Sequence, residues 1–460
     1  MKIIALHALL TITLGLAMFR PAVAVAAPSE LFEQSREIAT AEHFAILSQR
    51  ERIAPENALL STRLTVLLPA LMAEQNIDMW LVINREYVED PVYFTLVPQP
   101  TFAARRTTML VFHKLPDGSV AKLSVSRYPL GAPYTAAWQG GSLTEQWQAL
   151  AALIVNKDPK RIAINVSADW PVADGLTSSL HQQLLDVLPK AWHNRLVSAE
   201  KLVVRWLEQR TEQELALYPH VVALARGVIA EGFSSKVITP GVSTTEDVAW
   251  YLRERFSQLQ LPIWFMPYVS LQRPTTLCEQ DTAFCGEAGV IQRGDILHTD
   301  VGICYLTLCT DTQEMAYVLK AHENEAPAGL KAALATGNRW QDILTAQFKT
   351  GRTGNAILAA TQQQAKASGI LSSTYSHPLG FFGHAPGPTI GMWDNQGPSP
   401  VQGDWPLHAN TAYAIEGNIK QPVAEWNNKL VHIKLEQSAY FDGTQVIYLA
   451  GRQTRWHLIR

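Results

Sequence analysis

The most informative segment of this sequence is Asp295-Ile-Leu-His-Thr-Asp300-Val-Gly302, a mostly apolar run that predicts a strand. Asp300 interrupts this run, and a lone carboxylate is costly to bury. A second aspartate, Asp311, follows eleven residues later in Leu308-Cys-Thr-Asp311-Thr. If the two runs pair as neighbouring strands, both carboxylates reach the same place. The pair alone is a weak signal, because a turn aspartate and a surface aspartate produce the same spacing.

Two later segments place further polar side chains beside apolar ones. The Gly/Pro-rich stretch Thr374-Tyr-Ser-His377-Pro-Leu-Gly-Phe-Phe-Gly-His384 carries two histidines seven residues apart. The run Thr411-Ala-Tyr-Ala-Ile-Glu416 ends in a glutamate. Each feature by itself is more typical of a structural residue than of a ligand.

The last segment, Val431-His-Ile-Lys-Leu-Glu436, alternates between apolar and polar residues. Alternation places His432, Lys434 and Glu436 on one face of a strand. The whole ordered set, Asp–(11)–Asp, His–(7)–His, Glu and Glu, is far more specific than any of its parts.

This ordered set resembles the pita-bread metallopeptidases, the creatinase/methionine aminopeptidase-like family M24, and in particular its Xaa-Pro aminopeptidase and prolidase branch. The resemblance implies an α+β fold, with a pita-bread catalytic domain at 201–460 after an α/β creatinase-type N-terminal domain at 27–200. The stretches Leu68-Pro-Ala-Leu-Met-Ala-Glu74 and Ile77-Asp-Met-Trp-Leu-Val82 are similar to the N-terminal domain of exported members. So is the C-terminal Gly451-Arg-Gln-Thr-Arg-Trp-His-Leu-Ile-Arg460.

The resemblance also implies five metal ligands, which are Asp300, Asp311, His377, Glu416 and Glu436. Four carboxylates around one imidazole repel one another strongly unless cations neutralise them. Oxygen-rich ligation with one nitrogen and no thiolate suits two divalent ions, Mn or Zn, with Co as a further option.

Roles within the site follow from the same resemblance. Asp300 and Asp311 are predicted to bind one ion, and His377 and Glu416 the other. Glu436 and one oxygen of Asp311 are predicted to bridge the two ions.

Two catalytic roles are implied as well. Glu416 is expected to accept the proton of the attacking water. His384 is expected to hydrogen-bond the substrate carbonyl or the tetrahedral intermediate.

Three features depart from the family pattern. Family peptidases usually have another histidine upstream of the first aspartate, and the matching stretch, Cys278 to Gly286, contains none. His298 is the candidate replacement, because on a strand it shares the face of Asp300; the alternatives are a role in supporting the metal ligands from behind and a packing role. Lys434 stands where Xaa-Pro enzymes tend to have arginine, and it keeps the charge but not the planar fork. After His384 the chain continues as Ala-Pro-Gly-Pro388, where many relatives have an acidic residue.

The predicted function is an exported dinuclear-metal exopeptidase that hydrolyses short peptides, with Xaa-Pro aminopeptidase or Xaa-Pro dipeptidase activity. One alternative is a non-catalytic peptide-binding protein with the same fold. Another is a creatinase-like C–N hydrolase that needs no metal. Relatives are often dimers or tetramers, so the resemblance also implies a homo-oligomer.

Composition excludes other classes of partner and of chemistry. The 460 residues carry 38 Lys and Arg against 41 Asp and Glu, a formal charge of −3, so a nucleic-acid partner is not expected. The sequence has no GxSxG, GxxxxGK[ST], GxGxxG or HExxH motif.

The N-terminus predicts export. Residues 1–26 combine Lys2, an apolar run and small residues, which is typical of a signal peptide cleaved after Ala24 or Ala26. We therefore expect a periplasmic or secreted protein without stable membrane insertion; the alternative is an uncleaved anchor. The four cysteines, Cys278, Cys285, Cys304 and Cys309, then favour two disulfides in one of three pairings, rather than a metal site.

Local patterns predict several elements of secondary structure. Helical spacing is expected around Leu64–Leu71, a buried strand at Met79–Ile83, a hairpin from 107–113 to 119–126, and a strand at 161–166. Capping boxes at Thr211–Glu214 and Ser243–Glu246 predict two helix starts, with a kink at Pro219. From about Pro262 onward the pattern predicts strands separated by Gly and Pro.

Overall fold

A computed structural model describes residues 45–273 and 288–460. The helices in these ranges are α1 (Gln49–Thr62), α2 (Leu68–Glu74), α3 (Leu143–Lys157), α4 (Ser178–Val187), α5 (Glu200–Glu208), α6 (Glu212–Gly232), α7 (Thr245–Gln258), α8 (Ala328–Thr345) and α9 (Gly354–Ala367). The strands are β1 (Met79–Arg85), β2 (Thr107–Lys114), β3 (Val120–Ser126), β4 (Thr135–Ala136), β5 (Ile162–Ile164), β6 (Leu196–Ser198), β7 (Tyr268–Gln272), β8 (Ile296–Val301), β9 (Cys304–Tyr305), β10 (Leu308–Cys309), β11 (Thr312–Val318), β12 (Leu371–Thr374), β13 (His377–Leu379), β14 (Thr411–Val423), β15 (Lys429–Phe441), β16 (Val446–Tyr448) and β17 (His457–Ile459).

The N-terminal unit is a three-layer α/β structure. Its sheet has the strand order β4-β3-β2-β1-β5-β6, and the predicted hairpin is the antiparallel pair β2–β3. Strand β1 is buried on both faces: Leu81 and Ile83 pack with α3 and α4, whereas Trp80 and Val82 pack with α2 and α5. A strand covered on both sides has no polar face, which explains its continuous apolar run.

Helix α5, which begins at Glu200 and so spans the predicted boundary at 200/201, packs into the first unit. Leu202, Val203 and Trp206 of α5 belong to the same buried cluster as Trp80 of β1. The boundary itself stays a prediction. This packing means that α5 contributes core residues to the first unit.

The second unit is built on a larger sheet with the order β12-β14-β15-β11-β8-β7. Strands β13, β16 and β17 pair at its sides with β14, β15 and β11. Helices α6 and α7 form one core with β8, through residues such as Val228, Phe256 and Leu297. Helices α8 and α9 form a second core with β14 and β15, to which Trp340 and Ile415 belong. The sheet is therefore buried between helices, and its polar side chains converge in one internal region.

Two sequence-based expectations about this unit are wrong. Helices α8 and α9 lie in the part of the chain that was expected to form strands. The buried residues of α8, among them Leu330, Leu334 and Leu344, follow helical spacing, but the Gly and Pro residues nearby obscured that pattern. The second capping box is Thr244 with Asp247, one residue beyond the expected position, because the Thr244 hydroxyl accepts from the Asp247 N–H. The box at Thr211 is confirmed, and α6 continues through Pro219.

One disulfide lies beside the second sheet. Cys304 and Cys309 are bonded to each other and join β9 to β10, the short hairpin between β8 and β11. These two cysteines are therefore not metal ligands. Cys278, Cys285 and the predicted signal peptide at 1–26 lie outside the described residues. Of the helices in the described ranges, none combines the length and apolar character needed to cross a bilayer.

A buried ion pair joins the two units. Arg63, in the π-helical stretch Arg63–Leu67 between α1 and α2, donates to the Glu214 carboxylate of α6 at 2.9 Å, and both side chains are fully buried. Arg210 pairs with the same carboxylate at 3.2 Å. The Arg63 guanidinium also donates to the main-chain oxygens of Trp206 and Gln209.

We expect Arg63→Met to lower the free energy of unfolding by about 3 kcal/mol. This value is near the lower end of the range for losing one partner of a buried ion pair, because Arg210 still pairs with Glu214. Chemical denaturation measures this. The control is Lys160→Ala, which removes an exposed pair with Asp158 and costs less than about 1 kcal/mol. Equal effects of the two substitutions would contradict a structural role for the buried pair.

Candidate metal centre

Five strands contribute one side chain each to a single row across the second sheet. Tyr268 of β7 is the register partner of Asp300 of β8, which is the partner of Gln313 of β11. Gln313 is opposite Glu436 of β15, and Glu436 is opposite Glu416 of β14. Directly opposed residues project to the same side of a sheet. Pairing of the strands therefore brings three predicted ligands together from distant parts of the chain.

The other two predicted ligands complete the group. Asp311 precedes β11 at the end of the disulfide-linked hairpin, and His377 begins β13. Ligand atoms of Asp300, Asp311 and Glu436 lie within 4.8 Å of one another, as do those of His377, Glu416 and Glu436. The structure thus brings all five side chains together, while their assignment to individual ions stays a prediction.

The histidine is oriented as a metal ligand requires. Its Nδ1 lies 3.1 Å from the main-chain oxygen of Pro378 and donates to it, so Nε2 keeps its lone pair. Nε2 lies 3.6 Å from Asp311 Oδ2, 3.9 Å from Glu416 Oε2 and 3.8 Å from Glu436 Oε1.

Several atoms of the group are buried without a hydrogen-bond partner in the described part of the chain. They are His377 Nε2, Asp300 Oδ1, Asp311 Oδ1 and both carboxylate oxygens of Glu436. Buried polar atoms are normally paired, so this cluster requires an explanation. Cations bound between these acceptors would supply it, and the donor set therefore fits divalent metal ions.

Electrostatics point the same way. Burial raises the pKa of Asp300 to about 7, and burial together with the neighbouring carboxylates raises the pKa values of Asp311, Glu416 and Glu436 well above their usual range. Burial lowers the pKa of His377 to about 3, so its imidazole is neutral at pH 7. Neighbouring carboxylates that resist ionisation together are relieved by positive charge between them.

The four carboxylates of the group, Asp300, Asp311, Glu416 and Glu436, line a cavity of about 380 Å³. The three other residues predicted to act in catalysis, His384, His298 and Lys434, line it too. Burial lowers the pKa of Lys434 to about 8, which leaves it mainly protonated at neutral pH. Burial also lowers the pKa of His384, whose ring centre lies 4.6 Å from that of His377.

His298 faces Gln313, a residue that the sequence patterns did not single out. Its Nε2 lies 2.8 Å from Oε1 of Gln313, whose Nε2 donates to Glu416 Oε1 at 2.8 Å. Burial, with the positive charge of Lys434, lowers the pKa of His298 to about 3. Gln313 lies two residues beyond Asp311. Because residues two apart in a strand share a face, this spacing was the signal by which the sequence could have indicated that Gln313 lies near the ligands.

Trp264 was overlooked as well. Its Nε1 donates to the Thr310 main-chain oxygen at 2.9 Å, and its indole lies edge-on to His384 with ring centres 4.9 Å apart. A Cβ at either Gly302 or Gly383 would overlap the indole, so both glycines are needed for the close approach. Tyr375, another wall residue, has its hydroxyl 3.5 Å from His384 Nε2.

Comparisons with known proteins agree with this geometry. Residues 218–440 match the model of metallopeptidase family M24. No curated protein sequence matches the chain significantly. The part of the chain that carries the candidate ligands belongs to metallopeptidase family M24, as the sequence resemblance predicted.

Solved structures similar to this one include an X-Pro aminopeptidase from Thermotoga maritima MSB8, with a TM-score of 0.60 and 16% identity over 85% of this chain and 99% of that one. An Xaa-Pro dipeptidase from Bacillus anthracis has a TM-score of 0.56 and 15% identity over 90% and 100% of the two chains. Dipeptidase PepE from Mycobacterium ulcerans has a TM-score of 0.56 and 18% identity over 87% and 98%. The shared architecture confirms the pita-bread fold with its preceding N-terminal domain.

The raised carboxyl pKa values predict how metal and pH affect stability. A carboxyl group whose pKa is raised by folding stabilises the native state at low pH, and that contribution is lost as pH rises through the folded value. For Asp300 this window runs from 3.8 to about 7. We therefore expect Mn²⁺ to raise the melting temperature of chelator-treated protein more at pH 7 than at pH 5. At a hundredfold excess over Kd, each ion contributes about 2.7 kcal/mol.

Thermal unfolding with EDTA or with Mn²⁺ at both pH values measures this. The Glu436→Gln variant is the control, because it has one carboxylate fewer and should show a smaller Mn²⁺ effect at pH 7. An equal absence of Mn²⁺ stabilisation at both pH values would contradict the prediction.

Proposed function

We propose that this chain is an exported exopeptidase that binds two divalent ions and hydrolyses short peptides, with a preference for Xaa-Pro sequences. The observation that carries the proposal is the convergence of five ligand-type side chains, four of which have a buried acceptor atom without a hydrogen-bond partner in the described part of the chain. Family membership of residues 218–440 supports peptide hydrolysis as the chemistry.

The ions would be Mn or Zn, with Co as an option, because the donors are four carboxylates and one imidazole. Asp300 and Asp311 would bind one ion, and His377 and Glu416 the other, with Glu436 between them. Two bound ions would lower the pKa of a water and stabilise the charge that develops on the scissile carbonyl.

The protein side chains would then orient the substrate and move the proton. Glu416, whose pKa is raised by burial and by Asp300, is suited to accept a proton from the attacking water. His384 is neutral at pH 7 and lines the cavity, so its N–H can donate to the substrate carbonyl oxygen. Lys434 would supply positive charge on the cavity wall, and a substrate contact of His298 stays a prediction.

The dimensions of the cavity favour a small substrate. A volume of about 380 Å³ lies at the lower end of the range for ligand pockets, which suits a peptide of a few residues. The solved relatives named X-Pro aminopeptidase and Xaa-Pro dipeptidase support proline in the second position.

Export is supported by two observations of different kinds. The first 26 residues have the composition of a signal peptide, and the Cys304–Cys309 disulfide suits an oxidising compartment. A homo-oligomer stays a prediction.

Elemental analysis of protein purified without chelator should find about two divalent ions per chain. Asp311→Asn should lower both the metal content and peptidase activity, the latter by more than about a hundredfold, since even indirect support of a metal ligand is worth 10–100-fold. Asp342→Asn, at an exposed aspartate of α8, is the matched control and should change neither. Full activity in Asp311→Asn would refute the proposed site.

A panel of dipeptides and tripeptides with Pro or Ala in the second position tests the substrate class. We expect Xaa-Pro bonds to be cleaved at least about tenfold faster than Xaa-Ala bonds, the discrimination that a fitted apolar pocket provides. Comparing the two lengths separates dipeptidase from aminopeptidase activity. Peptide binding by the metal-loaded protein without turnover would instead indicate the non-catalytic alternative.

A further inference from the structure

Gln313 lies at the single point where strands β11 and β15 pair. Strands β11 and β15 have only one register pair, Gln313 opposite Glu436, so this residue stands where the two halves of the sheet join. In the row from Asp300 to Glu416 it is the one amide among carboxylates. Its side chain lines the cavity with them.

The hydrogen bonds of Gln313 have a defined direction. A carboxylate that binds a metal ion is ionised and can only accept, so in the metal-bound protein the 2.8 Å contact with Glu416 Oε1 uses the amide nitrogen of Gln313. The amide oxygen is then left to accept, and the His298 Nε2–H at 2.8 Å is its donor. Donation therefore runs from His298 through Gln313 to Glu416, and His298 carries its proton on Nε2.

This arrangement distinguishes the two oxygens of Glu416. Oε1 accepts from Gln313, whereas Oε2 faces His377 Nε2 at 3.9 Å. A carboxylate with one oxygen engaged in this way presents the other to a cation in a single orientation. Partners that fix a ligand by hydrogen bonding typically contribute 10–100-fold to metal affinity or activity.

We propose that Gln313 is a positioning residue for Glu416: it binds Oε1, leaves Oε2 as the metal ligand, and is itself oriented by His298. This inference rests on the proposed function, because it assumes that Glu416 binds a metal ion. It assigns to His298 a role that acts through Gln313, and it explains why an amide stands among the carboxylates. A carboxylate at position 313 could not donate to Glu416 and would add negative charge.

The test measures the binding of Mn²⁺ to chelator-treated full-length protein by titration calorimetry. Gln313→Met keeps the side-chain length but cannot donate to Glu416, and we expect it to weaken one of the two Mn²⁺ equilibria by 10–100-fold. His298→Leu should weaken the same equilibrium by a smaller factor. The double variant should bind Mn²⁺ no more weakly than Gln313→Met alone, because His298 acts through Gln313.

Gln341→Leu is the matched control. Gln341 is a fully buried glutamine of α8 that donates to Gln437 at 2.6 Å and to the Ile415 main-chain oxygen, so its loss reports on stability alone. We expect a lower melting temperature with unchanged Mn²⁺ affinity. In Gln313→Met, kcat for the peptide panel should fall at least tenfold while KM stays within about twofold, as for loss of an interaction made only in the transition state.

Three results would overturn the inference: unchanged Mn²⁺ affinity in Gln313→Met, multiplicative effects of the two substitutions, or a His298→Leu variant that raises KM without weakening Mn²⁺ binding. The last would make His298 a substrate contact. If Gln313→Met does not fold, His298→Leu still tests whether His298 acts on metal binding through Gln313, since it leaves the hydrogen bond between Gln313 and Glu416 in place. A wild-type protein that binds two Mn²⁺ ions and cleaves peptides, with unaffected variants, would refute this inference and leave the proposed function standing.

Discussion

Repulsion among four buried or half-buried carboxylates is the constraint on which the catalytic unit depends. Asp300, Asp311, Glu416 and Glu436 cannot all ionise at such close range without positive charge between them. Their burial raises their pKa values, and the neutral imidazole of His377 offers a lone pair to the same space. The cluster is unfavourable for the folded protein alone and favourable for a protein with bound cations. Stability and metal binding are therefore coupled here, as in other sites that cannot form in the unfolded chain.

The sheet meets this requirement through register rather than through any local motif. Each of five adjacent strands contributes one residue to the row that ends at Glu416, and a slip of one residue would turn that strand's side chain to the opposite face. The second core, between helices α8 and α9 and strands β14 and β15, anchors these strands through Ile415 and Leu435. The apolar residues that alternate with the ligands thus determine where the ligands point.

Close packing extends this control to the residues around the site. Trp264 lies where Gly302 and Gly383 leave room for it, and it packs against His384. Gln313 links His298 to Glu416 by two hydrogen bonds of 2.8 Å. The Arg63–Glu214 pair joins the N-terminal unit to α6 of the second unit. Placement of the site accordingly depends on contacts well outside the ligand set.

The sequence by itself determined the family and the identities of the five candidate ligands, because these depend on residue types in a fixed order. It also led us to expect two domains. It also predicted β1 and the β2–β3 hairpin, whose apolar runs and turn residues are local signals. It did not predict α8 and α9, nor the parts played by Gln313 and Trp264. The helical spacing of α8 is present in the sequence but is obscured by the Gly and Pro signals around it. The parts played by Gln313 and Trp264 depend on which strands become neighbours and how closely backbones approach, and the sequence has no local pattern that reports these contacts. Only the tertiary structure decided that an amide from β11 would stand between the carboxylates and that an indole would lie beside His384.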